Sequence, residues 1–274
     1  MSDYAEPIKF LSKILDKKRE TIKREFFNVS TDSLQSEASE IRKNAAPYRL
    51  FNKLRNSAQT NIIAEFKRVS PSKGTINAAA NPEQTAEKYL KGNAAAISVL
   101  TETDFFGGSI NDLRLTVKVI NNQIPVLCKD FFLEERQIFQ AASAGASVIL
   151  LIVAAFENPR IETLFNLHKL AGDLGLDVLV EVHTIEEMKI AEQISAKLIG
   201  VNNRNLQTFD VSLETSEELI TFAPRNAILI SESGIQNRAD IERLEKAGYK
   251  GFLIGETLMR AENIEKKLAE LMGE

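Results

Sequence analysis

Several short apolar runs in this chain end in side chains that can move a proton or hold one. Glu65 and Lys67 close Ile62-Ile63-Ala64, Lys129 follows Val126-Leu127-Cys128, and Glu181 follows Val178-Leu179-Val180. Asn202 and Arg204 follow Ile199-Gly200-Val201, and Glu232 follows Ile228-Leu229-Ile230-Ser231. Alternate residues of a strand share a face, so Glu65 and Lys67 point the same way. An isolated Glu-x-Lys is most often a surface ion pair. Polar tips on several separate strands instead describe convergence on one ligand. A lysine in water has a pKa near ~10.4, too high for efficient proton donation at neutral pH, and a nearby cation with partial desolvation lowers it. Lys67, Lys129 and Arg204 crowding one pocket are expected to supply that condition. Glu65, Glu181 and Glu232 would keep the lysines charged and oriented, and one of them, partly desolvated, can serve as a base.

A second group of residues fits an anion. Ser231-Glu232-Ser233-Gly234 and Ile254-Gly255-Glu256 place glycines after the last two apolar runs, where backbone N–H groups can approach a phosphate. Each glycine alone is more often a turn than a ligand site, and the pair at this position favours phosphate. Val69-Ser70-Pro71-Ser72-Lys73-Gly74 follows the first run, and the next helical signal begins only near Asn81. This long segment is either a mobile lid, with Ser70 and Lys73 reaching a bound anion, or an ordinary solvated loop. His168 reads as a solvated helical residue. His183 shares parity with Glu181 and can line the same mouth, but a lone histidine makes no metal site. Cys128 alternates away from Lys129 and reads as packing. With no His-Glu-x-x-His, Walker loop or paired-cysteine motif, neither a metal nor a cofactor is expected.

The elements that must position these groups alternate between strand and helix signals after residue 61. Strands are predicted at Ile62 to Lys67, Ala96 to Thr101, Pro125 to Lys129, Ser147 to Val153, Val178 to Val182, Lys197 to Asn202, Ala227 to Ser231 and Gly251 to Gly255. Asn81-Pro82-Glu83 supplies an N-cap, a proline at the first helical position and an acidic first turn. Ala144 to Ala146 and Ala247 to Tyr249 mark helix ends just before strands. Eight such units in about 210 residues match an α/β fold of the (β/α)8 barrel type. A doubly wound open sheet is the alternative, but no Gly-x-Gly-x-x-Gly turn follows the first strand. Ahead of the barrel, Ile8, Leu11, Ile14, Leu15, Ile22 and Phe26 recur at helical spacing. Asn28 to Ser39 reads as a connecting loop, and Leu50 to Leu54 as a short helix. The expected division is residues 1–60 as a helical extension and 61–274 as the catalytic barrel, within one structural domain.

Bulk properties narrow the function. At 274 residues and 44% hydrophobic, the chain can bury a large core. A net charge of −4 disfavours nucleic acid and anionic membrane as partners, so an anionic ligand must be held by local cations. The single cysteine excludes an internal disulfide framework and suits a reducing compartment. Val148 to Phe156 is too short to span a bilayer, and Met1 to Lys23 lacks the apolar block of a secretory signal. The expected setting is the cytoplasm.

Six ordered motifs carry a family resemblance. They are Ala64-Glu65-Phe66-Lys67-Arg68-Val69-Ser70-Pro71-Ser72-Lys73-Gly74, Ile97-Ser98-Val99-Leu100-Thr101-Glu102, Val126-Leu127-Cys128-Lys129-Asp130-Phe131, Leu179-Val180-Glu181-Val182-His183, Ile199-Gly200-Val201-Asn202-Asn203-Arg204-Asn205-Leu206, and Ile230-Ser231-Glu232-Ser233-Gly234-Ile235. Across essentially its whole length the chain resembles indole-3-glycerol phosphate synthase of tryptophan biosynthesis, a carboxy-lyase with a leading helix over the barrel mouth. The resemblance implies a phosphorylated small-molecule substrate, 1-(2-carboxyphenylamino)-1-deoxyribulose 5-phosphate, closed to an indole with loss of carbon dioxide and water. It further implies Lys129 as general acid, Glu181 as base, and Lys67 as second acid or carboxylate contact. Glu65 and Glu232 would position these groups, Asn202 would hold the sugar chain, Arg204 would support the site, and Ser233, Gly234 and Gly255 would hold phosphate. Glu256 departs from the small hydroxyl residue that can follow the last glycine, and it must turn outward to avoid repelling phosphate. Some relatives are fused to a phosphoribosylanthranilate isomerase barrel, and this chain is expected to have the synthase activity alone, as a monomer or weak homo-oligomer. Two other readings compete. Phosphoribosylanthranilate isomerase would lean on a Cys and Asp pair where this chain offers Lys and Glu, and a non-catalytic phosphate-binding barrel predicts loss of Lys67, Lys129 and Glu181.

Overall fold

A computed structural model describes residues 9–156, 161–206 and 208–274. Eight parallel strands close into a barrel: β1 (Ile62–Phe66), β2 (Ala96–Leu100), β3 (Val126–Lys129), β4 (Val148–Ile152), β5 (Asp177–Val182), β6 (Leu198–Asn202), β7 (Ile228–Glu232) and β8 (Gly251–Ile254), with β8 pairing back onto β1. All eight predicted strands are present, most of them shorter by a residue or so at one end. They are nearly continuous apolar runs because helices cover their outer face and side chains fill the inner one. The core runs unbroken through every strand.

Among the described residues three helices precede β1: α1 (Lys9–Glu25), α2 (Thr31–Arg42) and α3 (Arg49–Asn56). Helix α1 matches the predicted amphipathic segment, except that Ile8 lies outside the described residues. Its Ile14, Leu15 and Ile22, and Phe26 just beyond its end, are buried. Residues Asn28 to Ser39, expected to form a loop, instead lead into and largely form α2. The helical period was hidden because Ala38 alone is buried in α2. Polar contacts help hold this helix: Arg42, in its last turn, donates from Nε to the Leu174 carbonyl at 3.1 Å and from Nη2 to that of Gly175 at 2.8 Å.

The later helices follow the punctuation of the sequence. Asn81 caps α4 (Pro82–Lys91) by accepting the Gln84 N–H at 2.9 Å. Helices α5 (Ile110–Ile120), α6 (Glu135–Ser143), α7 (Ile161–Asp173), α8 (Ile185–Gln193), α9 (Glu214–Leu219), α10 (Arg238–Ala247), α11 (Glu256–Met259) and α12 (Ile264–Met272) complete the chain. Gly248 ends α10 with φ of 120°, a conformation that costs glycine little. His168 in α7 is partly buried rather than solvated, and burial together with Lys197 lowers its pKa. The segment after β1 is more ordered than a plain loop: Val69–Ser70 pairs antiparallel with Gly74–Thr75.

Helix α3 seats on the amino-terminal end of the barrel. Tyr48, its N-cap residue, makes no side-chain cap. Asp177, the first residue of β5, substitutes for it, and its Oδ2 accepts the N–H groups of Leu50 at 2.7 Å and Phe51 at 3.3 Å. Burial raises the Asp177 carboxyl to about 6, while the two N–H groups and Arg42 pull the other way. Asp177→Ala leaves two buried donors without an acceptor and is expected to cost about 1–3 kcal/mol. Asp177→Asn retains an acceptor oxygen and should cost less, and urea unfolding of both variants at pH 7 measures the difference.

Candidate active site

The carboxyl ends of the strands and α1 enclose a cavity of about 600 Å³. Its floor is charged. Glu65 and Lys67 lie on the inward-facing side of β1, where the Lys67 ammonium donates to Glu65 Oε1 at 2.6 Å. The other Glu65 oxygen sits 3.7 Å from Lys129 Nζ. Lys129 also donates to Glu232 Oε2 and lies 3.8 Å from Glu181 Oε2. One ammonium from β3 is therefore caged by carboxylates from β1, β5 and β7, all three nearly inaccessible to water.

This arrangement reverses one expectation. Lys129 was expected to be lowered by neighbouring cations, yet carboxylates separate it from Lys67. Burial alone lowers its pKa, but Glu232, Glu65 and Glu181 outweigh that and raise it. The carboxyls share the cost unequally. Burial raises Glu232 above the ordinary carboxylate range despite Lys129, and its Oε1 has no hydrogen-bond partner among the described residues. Glu181 is held below that range: burial raises it, but His183, Lys129 and Asn202 prevail. Asn202 Nδ2 donates to Glu181 Oε1 at 3.2 Å, and Asn202 Oδ1 accepts the Arg204 N–H at 3.0 Å. Arg204 in turn donates to the Phe209 carbonyl at 3.1 Å, fixing its head at the cavity edge.

The walls differ on two sides. Phe10, Leu11 and Ile14 of α1, with Phe106, Phe131 and Phe209, form an apolar side suited to a flat ring. Phe10 meets Phe209 edge-on at 4.9 Å between centroids. Helix α1 is latched there by Lys18, whose ammonium lies 2.6 Å from Asp130, next to Lys129, and by Thr21, which donates to Asp104 at 2.8 Å. The polar part of the lining includes Ser70, Lys73, Ser233, Gly234, Gly255 and Arg260.

These observations specify an acid-base centre with an apolar wall and a polar rim on a (β/α)8 barrel. A family model described as indole-3-glycerol phosphate synthase matches residues 11–271. The chain belongs to the indole-3-glycerol phosphate synthase family. Among its relatives, the indole-3-glycerol phosphate synthase of Exiguobacterium sibiricum is 44% identical over 251 residues, covering 91% of this chain and 93% of the relative. That of Oceanobacillus iheyensis is 43% identical over 258 residues, covering 93% and 94%. A solved structure, a thiamine phosphate pyrophosphorylase from Pyrococcus furiosus, aligns with a TM-score of 0.58 at 18% identity, covering 81% of this chain and 95% of that one. At that identity the likeness shows the barrel fold and nothing finer.

Within this indole-3-glycerol phosphate synthase family chain, the structure brings the sequence-predicted site residues to this cavity except Glu232, which is buried beneath it against Lys129. The rim loop after β7 is held from beneath. Asn203 donates to Ser231 Oγ at 2.9 Å and to the Ser233 carbonyl at 3.0 Å, and it accepts the Ser216 hydroxyl at 2.7 Å. Ser233 and Gly234 have φ of 68° and 85°, so consecutive left-handed residues turn the loop toward the cavity. Glu256 does not turn outward: it lines the cavity beside Arg260, whose Nε lies 3.1 Å from its carboxylate and offsets its charge.

Gly255 carries a constraint that the expected phosphate contact does not include. A Cβ there would collide with the Glu65 carboxylate, standing 3.1 Å from its Cδ and 3.2 Å from its Cβ. Gly200, which sequence reading did not select, meets Glu232 in the same manner. Both glycines make room for glutamates on neighbouring strands, a need invisible in their own local sequence. Arg260, Lys18 and Asp130 were likewise missed, since their relevance depends on contacts far apart in the chain. Gly255→Ala is accordingly expected to lower kcat, by about 10²-fold if Glu65 moves by an ångström, with a smaller change in KM. Steady-state kinetics of indole-3-glycerol phosphate formation read the split, and a rise in KM alone would show that phosphate binding, not room for Glu65, is what Gly255 serves.

Proposed function

We propose that this cavity closes the indole ring of 1-(2-carboxyphenylamino)-1-deoxyribulose 5-phosphate, with Lys129 as general acid and Glu181 as base. The observation that carries this reading is the Lys129 ammonium caged by Glu65, Glu181 and Glu232 beneath an aromatic wall. The substrate's anthranilate ring packs against Phe10, Phe106 and Phe131, where burial of its face is favourable. Its phosphate lies at the rim, against backbone N–H groups around Ser233 and Gly234 and within reach of Ser70 and Lys73.

Carbon–carbon bond formation occurs between the ring carbon bearing the carboxylate and the ketone carbon of the sugar chain. Lys129 protonates the ketone oxygen as that bond forms, so the developing alkoxide leaves the step as a hydroxyl. The carboxylate then departs as carbon dioxide, and its bonding electrons restore the ring. In the dehydration, Glu181 removes a proton while the hydroxyl leaves as water, assisted by a lysine proton. Lys67 contacts the substrate carboxylate or serves as the second acid. Because the glutamates strengthen the resting hold of Lys129 on its proton, donation requires the ketone oxygen to intrude on that cage. Glu232, with its raised affinity for a proton, is placed to recharge Lys129 afterwards.

Lys129→Met is expected to reduce turnover by about 10²- to 10⁴-fold while the barrel's circular dichroism persists. Indole fluorescence on mixing with saturating substrate tests this, and near-normal turnover would remove Lys129 from the role of acid. For the phosphate contact, a charge-assisted hydrogen bond is worth about 1.5–3 kcal/mol. Gly234→Ala, which strains a left-handed residue and drives a Cβ to 2.6 Å from Val211, should therefore raise KM roughly ten- to hundredfold with kcat less affected. Equal affinity of the unaltered protein for phosphorylated and dephosphorylated product would refute the cradle.

A further inference from the structure

Behind Glu181, on the side away from Lys129, a histidine stands between two carboxylates. His183 directly follows β5. Its Nε2 lies 3.3 Å from Glu181 Oε1, an ion-pair contact and not an aligned hydrogen bond, and its Nδ1 lies 3.2 Å from Glu187 Oε2. Glu187 is itself fixed in the first turn of α8. Its backbone N–H is capped by Thr184 Oγ1 at 3.2 Å, and its Oε2 accepts the His183 backbone N–H at 2.7 Å. The ring is nearly buried, with 10% of its side-chain surface exposed.

A neutral imidazole carries one N–H and one lone pair, so between two carboxylates it would aim that lone pair at a negative charge. Only the doubly protonated ring satisfies both neighbours. Among the described residues the charged groups that act on the ring are Glu181 from β5 and Glu187 from α8, while Lys129 and Asn202 reach Glu181 from its other sides.

We propose that His183, clamped by Glu187, is a positioning residue that keeps Glu181 ionised and turns its Oε2 toward the reacting centre. The inference rests on Glu181 being the base and adds what prepares it. Oε1 is taken by Asn202 and by the imidazolium, leaving Oε2 to face Lys129 and the cavity. The protonation behaviour agrees in direction: burial lowers the His183 pKa, but Glu181 and Glu187 together raise it to about 10. A base with this support is competent through the neutral range. Without it, Glu181 gains affinity for a proton and is silenced at the acidic end.

Two measurements test this on the full-length enzyme. The pH dependence of kcat in His183→Gln and in Glu187→Gln should show the acidic limb moved upward by about one unit or more, the scale expected for loss of an adjacent charge. A purely structural role would lower activity without moving that limb. The second measurement needs no variant. The chain contains 2 histidines, so nitrogen NMR of the histidine-labelled protein resolves His183 from His168. The His183 ring should be an imidazolium at pH 8, and a ring that titrates near ~6.5 overturns the proposal. Acidic limbs coinciding with that of the unaltered enzyme overturn it as well. Glu181→Gln separates the two levels of failure. Near-normal turnover in Glu181→Gln removes the base assignment and this inference together, whereas lost turnover there with an unmoved limb in His183→Gln removes the inference alone.

Discussion

A buried ammonium is tolerable in a protein only when its neighbours neutralise it, and Lys129 draws those neighbours from three other strands. That requirement propagates through the carboxyl end of the barrel. Glu65, Glu181 and Glu232 must arrive at one height, so the closure and register of the strands are conditions for the chemistry as much as for the core. Gly200 and Gly255 clear the space those carboxylates occupy, and Asn203 anchors the loop that carries Glu232 into Ser233 and Gly234. The cage also divides protons unevenly, with Glu181 disposed to lose one and Glu232 to keep one.

The leading helices complete this arrangement from opposite ends. Helix α1 provides an apolar wall and ties itself to the β3 tip through Lys18 and Asp130, one residue from the acid-base centre. Helix α3 covers the far end, where Leu54 approaches Gly251 at the start of β8. Between them α2 runs along the outside of the barrel against α6. The extension thus passes from the mouth to the floor before entering β1.

The strands and the charged tips were legible because both signals are local. A buried parallel strand must be apolar along its length, and a polar side chain at its end is conspicuous. Spacing alone placed Glu65 beside Lys67 on one face. Helix α2 was illegible because its hold comes from packing on α6 and from Arg42 reaching carbonyls more than a hundred residues away, with little apolar periodicity to announce it. The direction of the Lys129 shift was misread for a related reason. Sequence shows which charges share a pocket but not their interleaving, and here carboxylates separate the cations. Gly255 was noticed for its place after the last strand, while its actual constraint comes from the side chain of Glu65 on the neighbouring strand. Parity put His183 on the Glu181 face, but the structure sets it behind Glu181 and not among the residues lining the cavity, and its pairing with Glu187 requires the turn between β5 and α8.

The capping of α3 by Asp177 also sets an order on the ribosome. The acceptor for the Leu50 N–H lies 127 residues further along the chain. At synthesis rates of roughly 5–20 residues per second, the segment forming α3 waits about 6 to 25 s before that carboxylate is made. Lys18 waits for Asp130 and Arg42 for Leu174 in the same way. During that interval the amino-terminal segment carries apolar stripes with no barrel to receive them, screened by the lysines and arginines dispersed along α1 and α3. The segments synthesised first must wait for partners made long after them.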